Sequence, residues 1–394
     1  MTDARMASVM RDSYGRLLAI LSTRSRDILR AEDALSDAFA KALIHWPCKM
    51  PENPEAWLLT VARNRLTDMA RRDARVDFHD DVPGAEAPSV LSDAFPDERL
   101  KLMFVCAHPA IDARIHTPLM LQTVLGIDVE VIAQAFLVSH STMAKRLVRA
   151  KRKIRDTAIA FQIPDQDEFA PRVSAVLEAI YGAFSRDWLG SGALAEEALY
   201  LATLLADLMP DNAEVRGLAA LLLYTLSREA ARVQDGSFVP LEEQDTALWD
   251  HGLLNLARKH LERARAQGGF GRFQLEAAIQ AVHADRSNTG ITDWDALVQL
   301  HLGLSRIAPT IGATIGYSAA VGKAIGPKEG LEALCAVDET VRDTFAPAEA
   351  TRAYLLSELG QTHEAVAAYD KAIALTIEPP LRQYLRDKRA ALRA

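Results

Sequence analysis

Eight side chains within residues 139–152 could do recognition chemistry: Ser139, His140, Ser141, Thr142, Lys145, Arg146, Arg149 and Arg152. None is placed for bond breaking, because His140 has no carboxylate near it in sequence to orient it as a base. They are donors instead. Hydroxyls and a ring nitrogen reach base edges or phosphate oxygens, and cations pair with phosphates. From Lys145 to Arg155 there are seven Lys/Arg and no carboxylate.

The elements that must carry these groups can be read from periodicity. Val129, Ile132, Ala133 and Phe136 recur at helical spacing, with Val138 in the turn that follows; Met143, Leu147, Ala150 and Ile154 resume the period. Ser139 is a good N-cap for the second helix. The spacing predicts two short helices around a tight turn, with all the cations on faces the apolar stripe leaves free. In a DNA-binding helix-turn-helix one helix braces and the other enters the major groove. An ordinary helical hairpin with a solvated basic face is the alternative. The small Ala133, the turn, the cap and the one-sided charge favour DNA.

A first helical block is expected over residues 8–72. Leu35, Ala38, Phe39, Ala42, Leu43 and Trp46 share an apolar face, and Asp33, Asp37 and Lys41 lie off it. After a Pro-rich loop, Asn53 is the expected N-cap, with Pro54 at the first helical position. Trp57, Leu58, Val61, Ala62, Leu66 and Met69 then point inward, leaving Arg63, Asn64, Thr67, Asp68, Arg71 and Arg72 on the other faces.

Residues 73–98 hold eight carboxylates, one arginine and several prolines, a composition that reads as a linker. A second block follows over residues 97–160. A hinge is expected near Pro164, and from about 170 the pattern is one of stacked helix pairs. Gly360, Ala365, Tyr369 and Ala372 have the small-small-aromatic-small spacing of a tetratricopeptide unit, and the segments from Gly326 and Ala198 echo it weakly. A generic helical domain without true repeats is the competing reading.

The chain of 394 residues has room for two or three domains, and its net charge of −8 divides unevenly. Residues 1–161 carry 23 Lys/Arg against 21 Asp/Glu, whereas the remainder carries 22 against 32. Nucleic-acid binding therefore belongs to the first part. Three scattered cysteines, Cys48, Cys106 and Cys335, suggest reduced core thiols and a cytoplasmic setting. No signal peptide or spanning run is evident, so no membrane association is expected. No phosphate-binding glycine loop, zinc-protease motif or nucleophile elbow occurs, so neither catalysis, a metal nor a cofactor is expected.

Both N-terminal blocks resemble bacterial extracytoplasmic-function (ECF) sigma factors. AEDALSDAFAKAL is similar to their region 2.2, PEAWLLTVARNRLTDMARR to regions 2.3 and 2.4, and ERLKLMFVCAHPAI through LVRAKRKIR to region 4. The C-terminal half resembles the long tetratricopeptide-like extension of one ECF subgroup. There, 235–238 (DGSF) is similar to a DGGF motif, with serine in place of glycine.

The resemblance implies an all-α fold in four parts: sigma region 2 over 1–73, an acidic linker over 74–96, sigma region 4 over 97–160 and the extension over 170–394. It implies core RNA polymerase and promoter DNA as partners. Asp33, Asp37 and Lys41 would meet polymerase, although a simple solvated face is an open alternative. Asn64 would capture a flipped base of the −10 element, or else make only a local helix-end hydrogen bond. Arg63, Arg71 and Arg72 would hold the separated strands. Trp57 reads as core rather than as a base-stacking platform. Ser139, His140, Ser141, Thr142, Lys145 and Arg146 would face the −35 element, with Arg149 and Arg152 nearer phosphates.

The acidic linker would thread the polymerase cleft, or act as a mere spacer. Asp235, Gly236 and Phe238 are candidates for contact with a protein partner of the extension, or form a plain turn with Phe238 packed. Whether the extension activates or inhibits is open, with a positive role favoured. A helix-turn-helix activator that never joins polymerase is the alternative function. It leaves the first block without a purpose.

Overall fold

The computed structural model describes residues 2–76, 97–164, 166–186 and 193–392. Among these residues the chain is all-α apart from one two-stranded hairpin. The expected linker falls on residues 77–96, outside the described residues; its first positions, 74–76, still belong to a helix. No described helix is long and apolar enough to cross a membrane.

The chain divides into two compact units. The first contains residues up to Arg186 together with Ala193–Leu201. It opens with α1 (Thr2–Ser25), α2 (Ile28–His45) and α3 (Pro54–Val76). Asp27 starts α2 by accepting hydrogen bonds from the Leu29 and Arg30 amides at 3.0 and 3.2 Å. Asn53 starts α3, accepting from the Ala56 amide at 3.0 Å, with Pro54 at the first position as expected. The three helices close on Leu17, Leu18, Leu21, Leu35, Trp46 and Leu58, all essentially inaccessible. Each such side chain contributes roughly 1.5–3 kcal/mol by leaving water.

The second block is α4 (Glu98–Cys106), α5 (Ala113–Thr123), α6 (Val129–Ala135) and α7 (His140–Asp156). It packs against the first block. α1 packs on α4, and α2 meets α7. At Gly15 the two backbones nearly touch: a Cβ there would lie 1.8 Å from the Val124 carbonyl oxygen.

Among the described residues, the segment expected as a hinge is packed on both sides of position 165. Pro164 is buried, and the acidic DQDEF segment is largely the first turn of α8 (Gln166–Arg186). That helix packs on α4 and α5, with Phe169 edge-on to Phe104 at 5.2 Å between ring centres. Buried aromatic and aliphatic contacts override the local polarity that suggested a flexible joint. In α9 (Ala193–Leu208), Glu197 pairs with Arg99, whose guanidinium also sits 5.3 Å from the Tyr200 ring.

The second unit takes up the described chain from Ala202. It contains α10 (Ala213–Leu226), α11 (Glu229–Arg232), β1 (Val233–Gln234), β2 (Ser237–Phe238), α12 (His251–Ala266), α13 (Arg272–Thr289) and α14 (Trp294–Ile307). It continues through α15 (Ile311–Ala324), α16 (Pro327–Leu334), α17 (Glu339–Arg342), α18 (Ala346–Glu358), α19 (Thr362–Leu375) and α20 (Pro379–Ala391). α13 packs mainly on α10, and from α14 onward the helices pack mostly against their neighbours in the chain. Gly322 and Gly330 let α15 and α16 approach closely, and Ser318 donates to the Gly330 carbonyl at 2.7 Å. Ala365, Tyr369 and Ala372 are buried together with Leu356, while Gly360 takes the left-handed conformation between α18 and α19.

Candidate nucleic-acid interface

The turn between α6 and α7 is closed by backbone bonding. The Val138 amide donates to the Ala133 carbonyl at 3.0 Å and the Leu137 amide to Gln134 at 3.1 Å, the Schellman pattern that ends a helix. This requires a left-handed residue, and Leu137 supplies it at φ 53° where glycine is usual. Ser139 then caps α7, its hydroxyl 2.8 Å from that of Thr142 and within 3.3 Å of the Thr142 amide.

Met143, Leu147, Ala150 and Ile154 are buried as the period requires. That fixes the opposite face. Ser139, His140, Ser141, Lys145, Arg146, Arg149 and Arg152 are exposed, and Thr142 is half-buried. Among the described residues, Lys145, Arg146, Arg149 and Arg152 have no carboxylate within ion-pair reach.

Lys151 departs from the expectation. It is buried and pairs with Glu32 of α2, 119 residues away. Burial raises the Glu32 pKa, with Lys151 opposing that rise. Burial also pushes the nearby Cys106 thiol up to about 12. Only Cys106 is a core thiol; Cys48 and Cys335 are exposed, contrary to expectation, although all three are free.

On α3, Arg63, Asn64, Arg71 and Arg72 are all exposed. The Asn64 side chain makes no hydrogen bond within the described residues, so the local helix-end bond does not form; Arg71 lies 3.9 Å from Asp68. Trp57 is half-buried, edge-on to Trp46 at 5.6 Å, and so belongs to the core.

On α2, Asp33 and Lys41 are exposed, while Asp37 is half-buried between Lys41 (3.3 Å) and Arg65 (3.7 Å). Leu43, expected inside, is 55% exposed and lies beside Ile44 at 70%. Leu43 comes one residue, about 100° of turn, after Ala42, the last buried residue of α2, and so leaves the buried stripe. Phe136, also expected inside, is 40% exposed because the helix stops at that residue. Glu32 was missed by sequence reasoning because only the fold brings it to Lys151.

In the second unit, Asp235 and Gly236 both have positive φ and form the two-residue turn between β1 and β2. Phe238 packs edge-on against Tyr384 of α20 at 5.8 Å. Among the described residues no three His, Cys, Asp or Glu side chains gather as a metal site.

Residues 9–76, almost the whole of α1–α3, match the model of sigma-70 region 2. Residues 172–265 match a family of unknown function (DUF6596). An uncharacterized protein of Rhizobium meliloti (strain 1021) is 34% identical over 405 aligned positions, covering 98% of this chain and 94% of that protein. The chain belongs to that protein's family. Its first block is a sigma-70 region 2, and the protein is sigma-factor-like, with the association with core RNA polymerase and promoter DNA that this domain implies. No solved structure matches the chain significantly.

Proposed function

We propose that the chain is an alternative sigma factor of the ECF type. It binds core RNA polymerase and directs it to a restricted promoter set. The observation that carries this reading is the sigma-70 region 2 match on α1–α3, with Arg63, Asn64, Arg71 and Arg72 exposed on one of those helices. The unpaired cation face of α7, in the same compact unit, supports a −35 role for the second block as region 4.

In this mechanism Asp33, Asp37 and Lys41 meet polymerase, with exposed Leu43 and Ile44 beside them on α2. Asn64 offers one donor and one acceptor to a base that has left the stack, and the arginines of α3 hold the separated strands. Ser139 through Arg146 read the −35 groove while Arg149 and Arg152 hold phosphates. The chain catalyses nothing itself, works in the cytoplasm without a membrane, and uses no cofactor. The helix pairs of the second unit serve as a tetratricopeptide-like extension, a positive element that braces the two sigma domains or recruits a protein partner.

The test is binding to core RNA polymerase without DNA, followed by run-off transcription from promoters found by chromatin immunoprecipitation. Stable binding with promoter-specific transcripts is expected. DNA binding without polymerase binding would leave an operator-binding activator instead. Asn64→Ala should bind polymerase and form closed complexes normally, yet lose permanganate reactivity at the −10 region.

A further inference from the structure

The face of α7 is not a plain convex rod. A cavity of about 380 Å³ opens between its middle turns and the first turn of α5. Its apolar lining comes from Ile111, Ile115 and Ala150, all buried. Four cations line it as well: Arg146, Arg149 and Lys153 from α7, and Arg114 from α5. All four are exposed, and among the described residues none has a carboxylate within ion-pair reach.

One carboxylate, Asp112, also lines the cavity. It is engaged in capping α5, accepting from the Arg114 amide at 3.0 Å. Four like charges around one concavity repel one another, and an anion seated among them removes that cost. The amides in the first turn of α5 add a partial positive charge to the same side.

From this we propose that the cavity is a seat for a backbone phosphodiester of duplex DNA, and that Arg114 is an anchoring residue outside the groove helix. The proposal rests on the DNA-binding reading of α7 given above. A duplex is favoured because the cavity continues the exposed face that carries Lys145, Arg146 and Arg149. A strand bordering a groove occupied by α7 would run past the start of α5. Such a contact fixes the depth and tilt of α7 without reading sequence.

The full-length chain and a short mixed-sequence DNA duplex test this by fluorescence anisotropy over about 50 to 200 mM salt. Arg114→Ala should make the salt slope shallower by about one unit on every sequence, and Arg114→Lys should restore it. Asp112→Asn keeps the cap but removes the negative charge, so binding should tighten by roughly two- to fivefold at low salt. A merely structural Asp112 would not produce that gain.

An unchanged slope for Arg114→Ala, alongside a shallower one for Arg149→Ala, would overturn the phosphate seat and leave the groove reading standing. If neither substitution altered binding, the DNA reading itself would fall. An unchanged DNA slope for Arg114→Ala, together with thermal stabilisation by inorganic phosphate that Arg114→Ala abolishes, would assign the cavity to a free phosphate and overturn the duplex proposal.

Discussion

Arginine serves opposite ends in the two units. On α7 of the first, Arg146, Arg149 and Arg152 stand in solvent, with no carboxylate of the described residues within ion-pair reach. In the second, Arg286 donates to the carbonyls of Leu241, Glu242 and Gln244 at 2.8 to 2.9 Å, with its guanidinium 5.2 Å from the Trp249 ring. Arg232 donates to the Thr225 carbonyl at 2.5 Å. Arg228 is buried, reaches Gln280 at 2.5 Å, and has its pKa lowered to about 9 by burial and by the neighbouring Arg232 and Arg286. A count of positive residues therefore says little about DNA. What matters is whether the donors are already engaged by the protein's own acceptors.

Lys151 is the buried cation of α7 that belongs with the second class, and it offers the largest test. Lys151→Ala removes a buried cation and leaves the half-buried Glu32 without its partner, and should cost about 3 kcal/mol in unfolding free energy. The double variant Lys151→Met, Glu32→Leu should recover most of that loss. If Lys151→Ala unfolds normally but weakens DNA binding, Lys151 belongs with the free cations.

Arg286→Ala should cost about 2–3 kcal/mol by leaving carbonyls unsatisfied, measured by chemical denaturation, without changing DNA affinity.

Acidification sharpens the comparison further. Burial, aided by Arg228, lowers His283 to about 3, and burial alone lowers His301 to about 4. In the unfolded chain both titrate near 6.5. Their neutral forms thus support the fold fully above about pH 6.5, and that support fades as pH falls toward 4, because only the unfolded state takes up protons. At pH 5 each ring should account for on the order of 2 kcal/mol of lost stability. His283→Asn should remove its share of the pH dependence; an unaltered profile would place the ring in solvent.

The smallest effects belong to the free cations. Lys145→Ala or Arg146→Ala should shift which −35 bases are preferred, by about 1–3 kcal/mol at a read position. Arg149→Ala and Arg152→Ala should weaken all promoters alike and flatten the salt slope by roughly one unit each, with unchanged melting. Equal losses on every −35 variant for all four would erase the division between reading and anchoring residues.

Local signals were the legible ones. Ser139 and Asn53 announced their helices because a cap depends on the few residues beside it, and the stripe from Met143 to Ile154 set which face of α7 is wet. Contacts over long chain distances left no trace. Lys151 looks like its exposed neighbours until Glu32 arrives from 119 residues away. Gln166 through Phe169 look like a hinge until Phe104 offers a surface. Leu43 looks interior because periodicity shows which side of a helix is apolar and not where the core ends. The paired positive φ angles of Asp235 and Gly236 agree with the sequence, whereas Leu137 adopts a conformation its side chain disfavours and so could not have been foreseen.

Gly15 bears on how this architecture can be altered. The first block and the second meet at a residue with no side chain, against a backbone oxygen that has no rotamer to yield. A single methyl group there would act as a wedge. It would change no charge and touch no donor on α3 or α7, yet it would press directly on the joint between them. For anyone wishing to prop the two helical blocks apart, Gly15→Ala is a smaller tool than any truncation.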